Sequence, residues 1–175
     1  MKTIYLGGGC FWCTEAIYQH VQGVSEVIPG YMGGKVPNPS YETVSSGESG
    51  HAEVVKLSYD ENVIGTRDIL DIFFKTHDPT TLNKQGNDIG TQYRSIIFYT
   101  DEEQREESRK MIEKLKVLFP LDKSIVTEVV SASVFYPAES YHYNYYQNHR
   151  SAPYCQIIID PKVEKLEREF KDKIR

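Results

Sequence analysis

Residues 3–21, TIYLGGGCFWCTEAIYQHV, contain the transition that decides the fold. Residues 3–6 form a short run of strand-forming side chains, and the glycines at 7–9 end it. The apolar side chains that follow recur at the spacing of one helix face: Cys13, Ala16, Ile17 and Val21. A strand that passes through a glycine turn into a helix predicts a sheet with helices packed on it.

Strands and helices continue to alternate along the rest of the chain, which favours the same arrangement. Two long segments rich in Gly, Pro, Asn and Asp are predicted as loops, and long ordered loops are often functional: residues 33–40 and 78–92. Further strands are predicted at residues 24–31, 53–59, 94–100, 125–134 and 156–159. Further helices are predicted at residues 67–77, 101–119, 139–149 and 161–170.

Helix starts are predicted from capping residues. Thr66 is expected to cap the helix that begins at residue 67. Thr100 and Glu103 have the spacing of a capping box for the next helix, which Pro120 ends. Asp160, followed by a proline, is expected to cap the last helix.

The composition is that of an ordinary soluble globular protein. With 175 residues, 39% of them hydrophobic, the chain is expected to form a single domain over residues 1–175. A net charge of −5 argues against nucleic acid and anionic membranes as partners. The first apolar run, residues 4–6, is too short for a signal peptide or a membrane span, so a cytoplasmic location is expected.

Cys10 is the first candidate for chemistry, because it lies where the glycine run becomes a helix. A helix N-terminus carries a partial positive charge and free N–H donors, and both are expected to favour the nucleophilic thiolate. The alternative interpretation is a buried structural cysteine, since free cysteines are among the most buried residues.

Cys13 follows Cys10 at the spacing of a C-x-x-C pair, which is found in redox disulfides and in zinc sites. Three cysteines are an odd number and argue against a structural disulfide framework. A zinc site would need further ligands, and Cys155 and the five histidines show no paired spacing. No metal and no cofactor are predicted.

Glu53 is the most informative carboxyl group. It shares the more apolar strand face with Val55 and Leu57, and poor solvation there raises the pKa of a carboxyl group. A carboxylic acid that stays neutral near pH 7 can donate a proton to an oxygen atom. The alternative is a strand-end glutamate that points to water.

Aromatic and acidic side chains provide the other candidates. Phe11 and Trp12 flank the thiol and are suited to a pocket for a small apolar group such as a methyl thioether, although plain core packing is the alternative. Tyr41 and Tyr93 lie at the ends of the two long loops, where their hydroxyls are able to donate to a polarised oxygen. Asp88 is either a site residue or a turn residue. The histidines are not predicted to be catalytic.

Several motifs resemble those of the peptide methionine sulfoxide reductase A family, in the same order and over nearly the whole chain. They begin with the glycine, cysteine and two aromatics that resemble the family's nucleophile signature. The matching stretches are Gly9-Cys10-Phe11-Trp12, Gly30-Tyr31-Met32-Gly33-Gly34, Asn38-Pro39-Ser40-Tyr41, Gly50-His51-Ala52-Glu53, His77-Asp78-Pro79-Thr80-Thr81, residues 85–95 (QGNDIGTQYRS), Ala138-Glu139, Tyr141-His142 and Tyr154-Cys155.

The resemblance implies an α+β fold with a ferredoxin-like two-layer core. It implies reduction of the S epimer of methionine sulfoxide, free or in oxidised proteins, as part of protein repair. The implied roles fall on residues already named: the nucleophile on Cys10, the proton donor on Glu53, the sulfoxide-binding tyrosines on Tyr41 and Tyr93, the active-site aspartate on Asp88, and the methyl-binding wall on Phe11 and Trp12.

The resemblance also implies how the enzyme is regenerated. Cys10 becomes a sulfenic acid, a second cysteine condenses with it to a disulfide, and thioredoxin reduces that disulfide. Cys13 and Cys155 are both candidates for the second cysteine. Cys13 is slightly favoured because a short loop closes at low entropic cost, although disulfide geometry is difficult within one helical turn.

Two other functions fit the cysteines without the resemblance. A general C-x-x-C thiol–disulfide oxidoreductase would use Cys10 and Cys13 to reduce protein disulfides. A small zinc-binding interaction module would use all three cysteines and a histidine, and would unfold when a chelator removes the metal.

Overall fold

The computed structural model describes residues 1–175. Eight strands are present: β1 (Lys2–Gly7), β2 (Val24–Met32), β3 (Ala52–Tyr59), β4 (Lys84–Gln85), β5 (Asp88–Ile89), β6 (Ile96–Tyr99), β7 (Glu128–Ser131) and β8 (Tyr136–Pro137). Six α-helices connect or cover them: α1 (Phe11–Gln19), α2 (Tyr41–Ser45), α3 (Thr66–Thr76), α4 (Glu102–Lys116), α5 (Tyr145–Asn148) and α6 (Asp160–Glu169). None of the helices is both long enough and apolar enough to cross a membrane.

Six strands form one mixed sheet in the order β7-β6-β1-β3-β2-β8, and β4 and β5 form a separate small hairpin. Strand β7 runs parallel to β6, whereas the other neighbours are antiparallel. The central elements follow the chain order β1-α1-β2-β3-α3-β6, which is the β-α-β-β-α-β order of ferredoxin-like units. The predicted α+β sheet with packed helices is therefore observed.

The main core lies between the sheet and the helices. Alternate residues of β1, Ile4 and Leu6, are completely buried, as expected for a strand with one face against the core. Helix α1 packs its Ala16 and Ile17 onto this face, and the last helix, α6, adds Leu166. The core therefore fixes the start of α1 against the ends of β1 and β3, and this junction carries the site described below.

All three predicted caps are wrong. Ile159, not Asp160, is the N-cap of α6, and Asp160 is its first helical residue. Gly65, not Thr66, is the N-cap of α3, and Thr66 is the first helical residue. Asp101, not Thr100, caps α4, because its side chain accepts the N–H of Gln104. In each case the element is where the pattern predicted it, and the start is displaced by one residue because a neighbour occupies the capping position.

Three predicted elements near the C-terminus differ from the structure. The long strand at 125–134 is only four residues, β7, because it pairs with the equally short β6. The helix at 139–149 is split into a 3₁₀ turn, Ser140–His142, and α5, since Asn144 has a left-handed backbone with φ of 55°. The strand at 156–159 is instead a π-helical turn, Cys155–Ile159, that continues into α6.

Candidate active site

Cys10 lies just before α1 and is half-buried. Its backbone is extended, with φ of −59° and ψ of 129°, so it is the N-cap of the helix and not part of its first turn. Gly9 precedes it with φ of +97°, a conformation that side chains rarely adopt, and a Cβ there would lie 2.7 Å from the side chain of Gln85. The last glycine of the run is therefore required to turn the chain and present the thiol.

The pKa of Cys10 moves in the direction opposite to the one expected from the sequence. Burial raises it well above its ordinary value, and the carboxyl group of Glu53 and the thiol of Cys13 raise it further. The N–H of Trp12 at the helix start and the hydroxyl of Tyr154 lower it, but by less. The helix N-terminus does favour the thiolate, as predicted, yet the loss of water around the sulfur outweighs it.

Glu53 lies on β3, opposite Tyr31 of β2, and its side chain is 1% exposed. Its Oε1 accepts the backbone N–H of Phe11 at 3.1 Å, which places the carboxyl group directly beside the start of α1. Burial raises its pKa from 4.5 to about 8, the N–H of Phe11 lowers it, and Asp88 raises it. The carboxyl group is therefore neutral at pH 7 and can donate a proton, as the strand pattern predicts.

Aromatic rings form a wall beside the thiol. Phe11 is buried and its ring lies 5.0 Å from that of His142. Trp12 stacks on Tyr145 at 3.6 Å with nearly parallel planes, and its Nε1–H donates to Nδ1 of His142 at 3.1 Å. We call these four side chains the aromatic wall: Phe11, Trp12, His142 and Tyr145.

Tyr41 and Tyr93 come from different elements and share the environment of the thiol. Tyr41 opens α2 and its ring lies 4.8 Å from that of His142, while Tyr93 ends the 3₁₀ turn Thr91–Tyr93. Burial raises the pKa of Tyr93, and Glu53 and Cys10 raise it further. Burial also raises the pKa of Tyr41. Both hydroxyls therefore keep their protons and remain hydrogen-bond donors.

Tyr154 connects Asp88 to the cysteine pair. Its hydroxyl donates to Oδ2 of Asp88 at 2.8 Å and lies 3.7 Å from the Sγ of Cys13. Asp88 begins β5, in the short hairpin formed within the predicted loop 78–92. The position of the hairpin explains how a segment distant in sequence reaches the start of α1.

A cavity of about 390 Å³ opens beside Cys10. The two thiols of the C-x-x-C pair line it together with the β4–β5 hairpin and the start of α6. Its lining includes the thiols of Cys10 and Cys13 and the polar side chains of Asp88, Tyr154 and Lys162. The charge of Lys162 partly offsets the burial that raises the pKa of Cys13.

Cys155 does not line this cavity. It is completely buried at the start of the π-helical turn, whereas Cys13 is 3% exposed and lines the cavity with Cys10. All three cysteines are free thiols. Cys10 has a non-helical backbone as the N-cap of α1, and the N–H of Cys13 donates to its carbonyl oxygen at 3.1 Å, so the two residues close a single turn. The non-helical backbone of Cys10 is the feature that favours a disulfide within this turn.

The model for peptide methionine sulfoxide reductase matches residues 2–174. A relative from Saccharolobus solfataricus, peptide methionine sulfoxide reductase MsrA, is 53% identical over 175 residues, which is 100% of this chain and 98% of that protein. The chain belongs to the peptide methionine sulfoxide reductase family. Two solved structures of Mxr1 from Saccharomyces cerevisiae are similar to this reductase.

The reduced form of Mxr1 has a TM-score of 0.79 and 35% identity, covering 88% of each chain. The complex of Mxr1 with Trx2 has a TM-score of 0.56 and 28% identity, covering 81% of this chain and 84% of that one. The α+β fold of this reductase is therefore shared with solved members of the family.

Three side chains of the reductase site are not singled out by the sequence pattern. Tyr154 joins Asp88 to Cys13, and His142 is part of the aromatic wall with its Nε2 buried and unpartnered. Glu139 accepts from the hydroxyl of Tyr31 and from the backbone N–H of Tyr41, both at 2.9 Å, and so holds α2 at the site. Each of the three lies in a motif that resembles the family's: Ala138-Glu139, Tyr141-His142 and Tyr154-Cys155. No group of three or more potential metal ligands is brought together.

Proposed function

We propose that this reductase reduces the S epimer of methionine sulfoxide, free or in oxidised proteins, with Cys10 as nucleophile and Glu53 as proton donor. The observation that carries the proposal is the neutral, buried carboxyl group of Glu53, held by the N–H of Phe11 beside the thiol. A thiol–disulfide oxidoreductase has no need of such an acid, whereas a sulfoxide oxygen must be protonated before it leaves sulfur.

In the first step, the sulfur of Cys10 attacks the sulfoxide sulfur while Glu53 gives its proton to the sulfoxide oxygen. The oxygen passes to Cys10, methionine leaves, and the thiol proton restores the acid form of Glu53. Cys10 is thereby oxidised to a sulfenic acid, and the sulfoxide is reduced by two electrons. Protonation is needed to activate the substrate because the pKa of the Cys10 thiol is itself raised.

The substrate is oriented from two sides in this proposal. The aromatic wall accepts the methyl group, since Trp12 is only partly buried and its stacking on Tyr145 holds the indole ring in place. The hydroxyls of Tyr41 and Tyr93 donate to the sulfoxide oxygen as charge develops on it. Asp88 accepts a hydrogen bond from the Tyr154 hydroxyl and acts by orienting that side chain.

Cys13 is proposed to resolve the sulfenic acid. Its thiol condenses with the Cys10 sulfenic acid, giving a Cys10–Cys13 disulfide and one water molecule. The shared cavity and the non-helical backbone of Cys10 support this choice over Cys155, which is buried and does not line the cavity. Cys155 remains the alternative if the C-terminal segment moves.

Thioredoxin is proposed to reduce the disulfide by thiol exchange. The support is the complex of the related Mxr1 with Trx2, together with the cavity that exposes the cysteine pair. We also propose that residues 1–175 act as a single catalytic domain, because site residues from Cys10 to Tyr154 rest on one core. A cytoplasmic location is proposed because the cycle consumes thiols, which that compartment keeps reduced.

The test is thiol loss against methionine formed. Fully reduced protein is mixed with methionine S-sulfoxide without a reductant, and both products are counted. Two thiols lost per methionine, and neither with the R epimer, is the expected result. Loss of no thiol and release of no methionine would overturn the proposal, and insulin reduction and zinc analysis then test the two alternative functions.

The resolving cysteine is tested with Cys13→Ser and Cys155→Ser in the same assay. We expect Cys13→Ser to release one methionine and to stall as a sulfenic acid that a sulfenic-specific reagent labels. Cys155→Ser is expected to lose two thiols and to recycle with thioredoxin. The opposite pattern would assign the resolving role to Cys155.

A further inference from the structure

One face of α1 contacts the segment that supplies half of the aromatic wall, residues 142–145. Trp12, Glu15 and Gln19 lie three and four residues apart and so project from the same face. Trp12 contacts His142 and Tyr145, as described above. Glu15 and Gln19 both contact Asn144, which lies between His142 and Tyr145 in the sequence. All three side chains of this α1 face therefore contact one short segment.

Glu15 is a buried carboxyl group that the proposed mechanism does not use. Its side chain is 1% exposed, and its Oε2 accepts the backbone N–H of Asn144 at 3.0 Å. Its Oε1 is buried and has no hydrogen-bond partner. A buried carboxyl group with one unpartnered oxygen is unfavourable for stability, so its presence calls for another explanation.

Asn144 is the point at which the segment bends. Its backbone is left-handed, with φ of 55°, and its side chain accepts from Nε2 of Gln19 at 2.6 Å. The next residue, Tyr145, stacks on Trp12, and the residue two positions earlier, His142, accepts from the indole. A shift of the Asn144 backbone would therefore move both partners of Trp12 at once.

We propose that Glu15 is a positioning residue: its carboxylate holds the backbone of Asn144 against α1 and thereby sets the shape of the aromatic wall that selects the methyl group of the substrate. The role in substrate selection rests on the proposed function. The coupling between Glu15 and Trp12 is a separate physical claim and is tested without turnover.

The ionisation of Glu15 makes this coupling sensitive to pH. Burial raises its pKa from 4.5 to about 7, while the N–H groups of Asn144 and Tyr145 lower it. The carboxylate, present above pH 7, accepts these N–H groups more strongly than the neutral acid does. Tyr143 faces Glu15, and burial and Glu15 raise its pKa, so it stays neutral. Burial lowers the pKa of His142, so it is also neutral in this range.

The first experiment uses Trp12, which is the only tryptophan of the chain. Its emission is followed from pH 5.5 to 9 in a Cys10→Ser, Glu53→Gln background, which removes titration of the thiol and of the carboxyl group beside the start of α1. We expect a transition with a midpoint near pH 7 that is absent when Glu15→Gln is added. Glu167→Gln, an exposed change on α6, is the matched control and should keep the transition.

The second experiment compares methionine S-sulfoxide with ethionine S-sulfoxide, using dithiothreitol as reductant. The ratio of their kcat/KM values cancels the pH dependence of Cys10 and Glu53, because both substrates use the same chemistry. One methylene is discriminated by roughly 10-fold or more in a fitted pocket. In the wild type, we expect the ratio of kcat/KM for methionine S-sulfoxide to kcat/KM for ethionine S-sulfoxide to fall at least ~3-fold from pH 8 to pH 6. In Glu15→Gln, the same ratio should lie below the wild-type value at pH 8 and should not depend on pH.

Gln19→Ala provides a second variant that leaves Glu15 in place and loosens Asn144 from the other side. It should lower the same ratio at pH 8 while keeping the pH transition. The inference is overturned if Glu15→Gln keeps the emission transition, or if its ratio equals that of the wild type at pH 8. If the wild type itself reduces neither sulfoxide, the proposed function fails, and the emission transition still decides the coupling.

Discussion

The region beneath Cys10 and the region behind Trp12 each contain one carboxyl group that is almost completely buried. Glu53 and Glu15 are both 1% exposed, both accept a backbone N–H at about 3 Å, and burial raises the pKa of both, to about 8 and about 7. They differ in what lies beside them. Glu53 adjoins the thiol, whereas Glu15 is enclosed between α1 and the Asn144 backbone. A raised pKa therefore indicates a buried carboxyl group, and only its neighbours identify the catalytic acid.

The largest expected difference between the two regions is in the rate of sulfoxide reduction. Glu53→Gln should lower the single-turnover rate at least ~10²-fold, a typical loss for a general acid. Glu15→Gln should lower it less than ~10-fold, because that carboxyl group does not reach the substrate oxygen. Release of methionine is measured by rapid quench. Equal losses in the two variants would show that burial of a carboxyl group, and not its position beside Cys10, is what matters.

The pH dependence separates the same two variants. A raised carboxyl pKa means that Glu53 is protonated and able to donate below about pH 8 and is ionised above it. The advantage of the wild type over Glu53→Gln should therefore fall about tenfold per pH unit above pH 8. Taking the ratio of the two rates removes most of the contribution of Cys10 ionisation. A constant ratio from pH 7 to 10 would exclude Glu53 as the acid.

The sequence predicts Glu53 much better than it predicts Glu15. Glu53 lies on a strand in which apolar and polar side chains alternate, and this alternation shows which face is buried. Every second residue points to the same face, so the pattern predicts that the Glu53 carboxyl group is shielded from water. Glu15 lies on the face of α1 that also carries Trp12 and Gln19, outside the apolar stripe, and its partner is the backbone of Asn144, 129 residues away. A contact with a backbone N–H does not depend on which side chain the partner residue carries, so the sequence gives no sign of it. The composition of residues 139–149 also does not show that the predicted helix is split at Asn144.

The same distinction applies to the fold and the rest of the site. The central β-α-β-β-α-β elements follow from hydrophobic periodicity, because each buries one face locally. The direction of the Cys10 pKa shift was wrong, because the local helix N-terminus is visible in sequence while the enclosing residues Glu53 and Tyr154 are brought there by folding. The pattern predicts a strand where the structure has the π-helical turn Cys155–Ile159, because three consecutive isoleucines are typical of strands.

The tyrosines near the two carboxyl groups provide a smaller contrast. Tyr41→Phe and Tyr93→Phe should each lower the single-turnover rate about tenfold, the usual effect of one hydrogen bond to a developing charge. Tyr143→Phe, beside Glu15, should leave the rate within about twofold, because its hydroxyl faces a positioning group. The three rates are compared at pH 7. A loss in Tyr143→Phe as large as that in the other two would contradict the separation of the regions.

The smallest expected difference is in stability. A folded-state pKa raised above 4.5 means that the folded state binds a proton more tightly, so stability falls as pH rises from 4.5 to the folded pKa and is constant above it. From pH 7 to pH 9, Glu53→Gln should gain on the order of 1 kcal/mol relative to its parent, and Glu15→Gln clearly less, because the transition of Glu15 is already half complete at pH 7.

Urea unfolding in a Cys10→Ser background measures both differences without interference from the thiol. Equal gains for the two variants between pH 7 and pH 9 would mean that the two carboxyl groups titrate together. Glu53, beside Cys10, and Glu15, behind the aromatic wall, would then differ only in their positions. A larger gain for Glu53→Gln would instead show that the catalytic acid is the less stable of the two when ionised, as expected for a group kept protonated for proton donation.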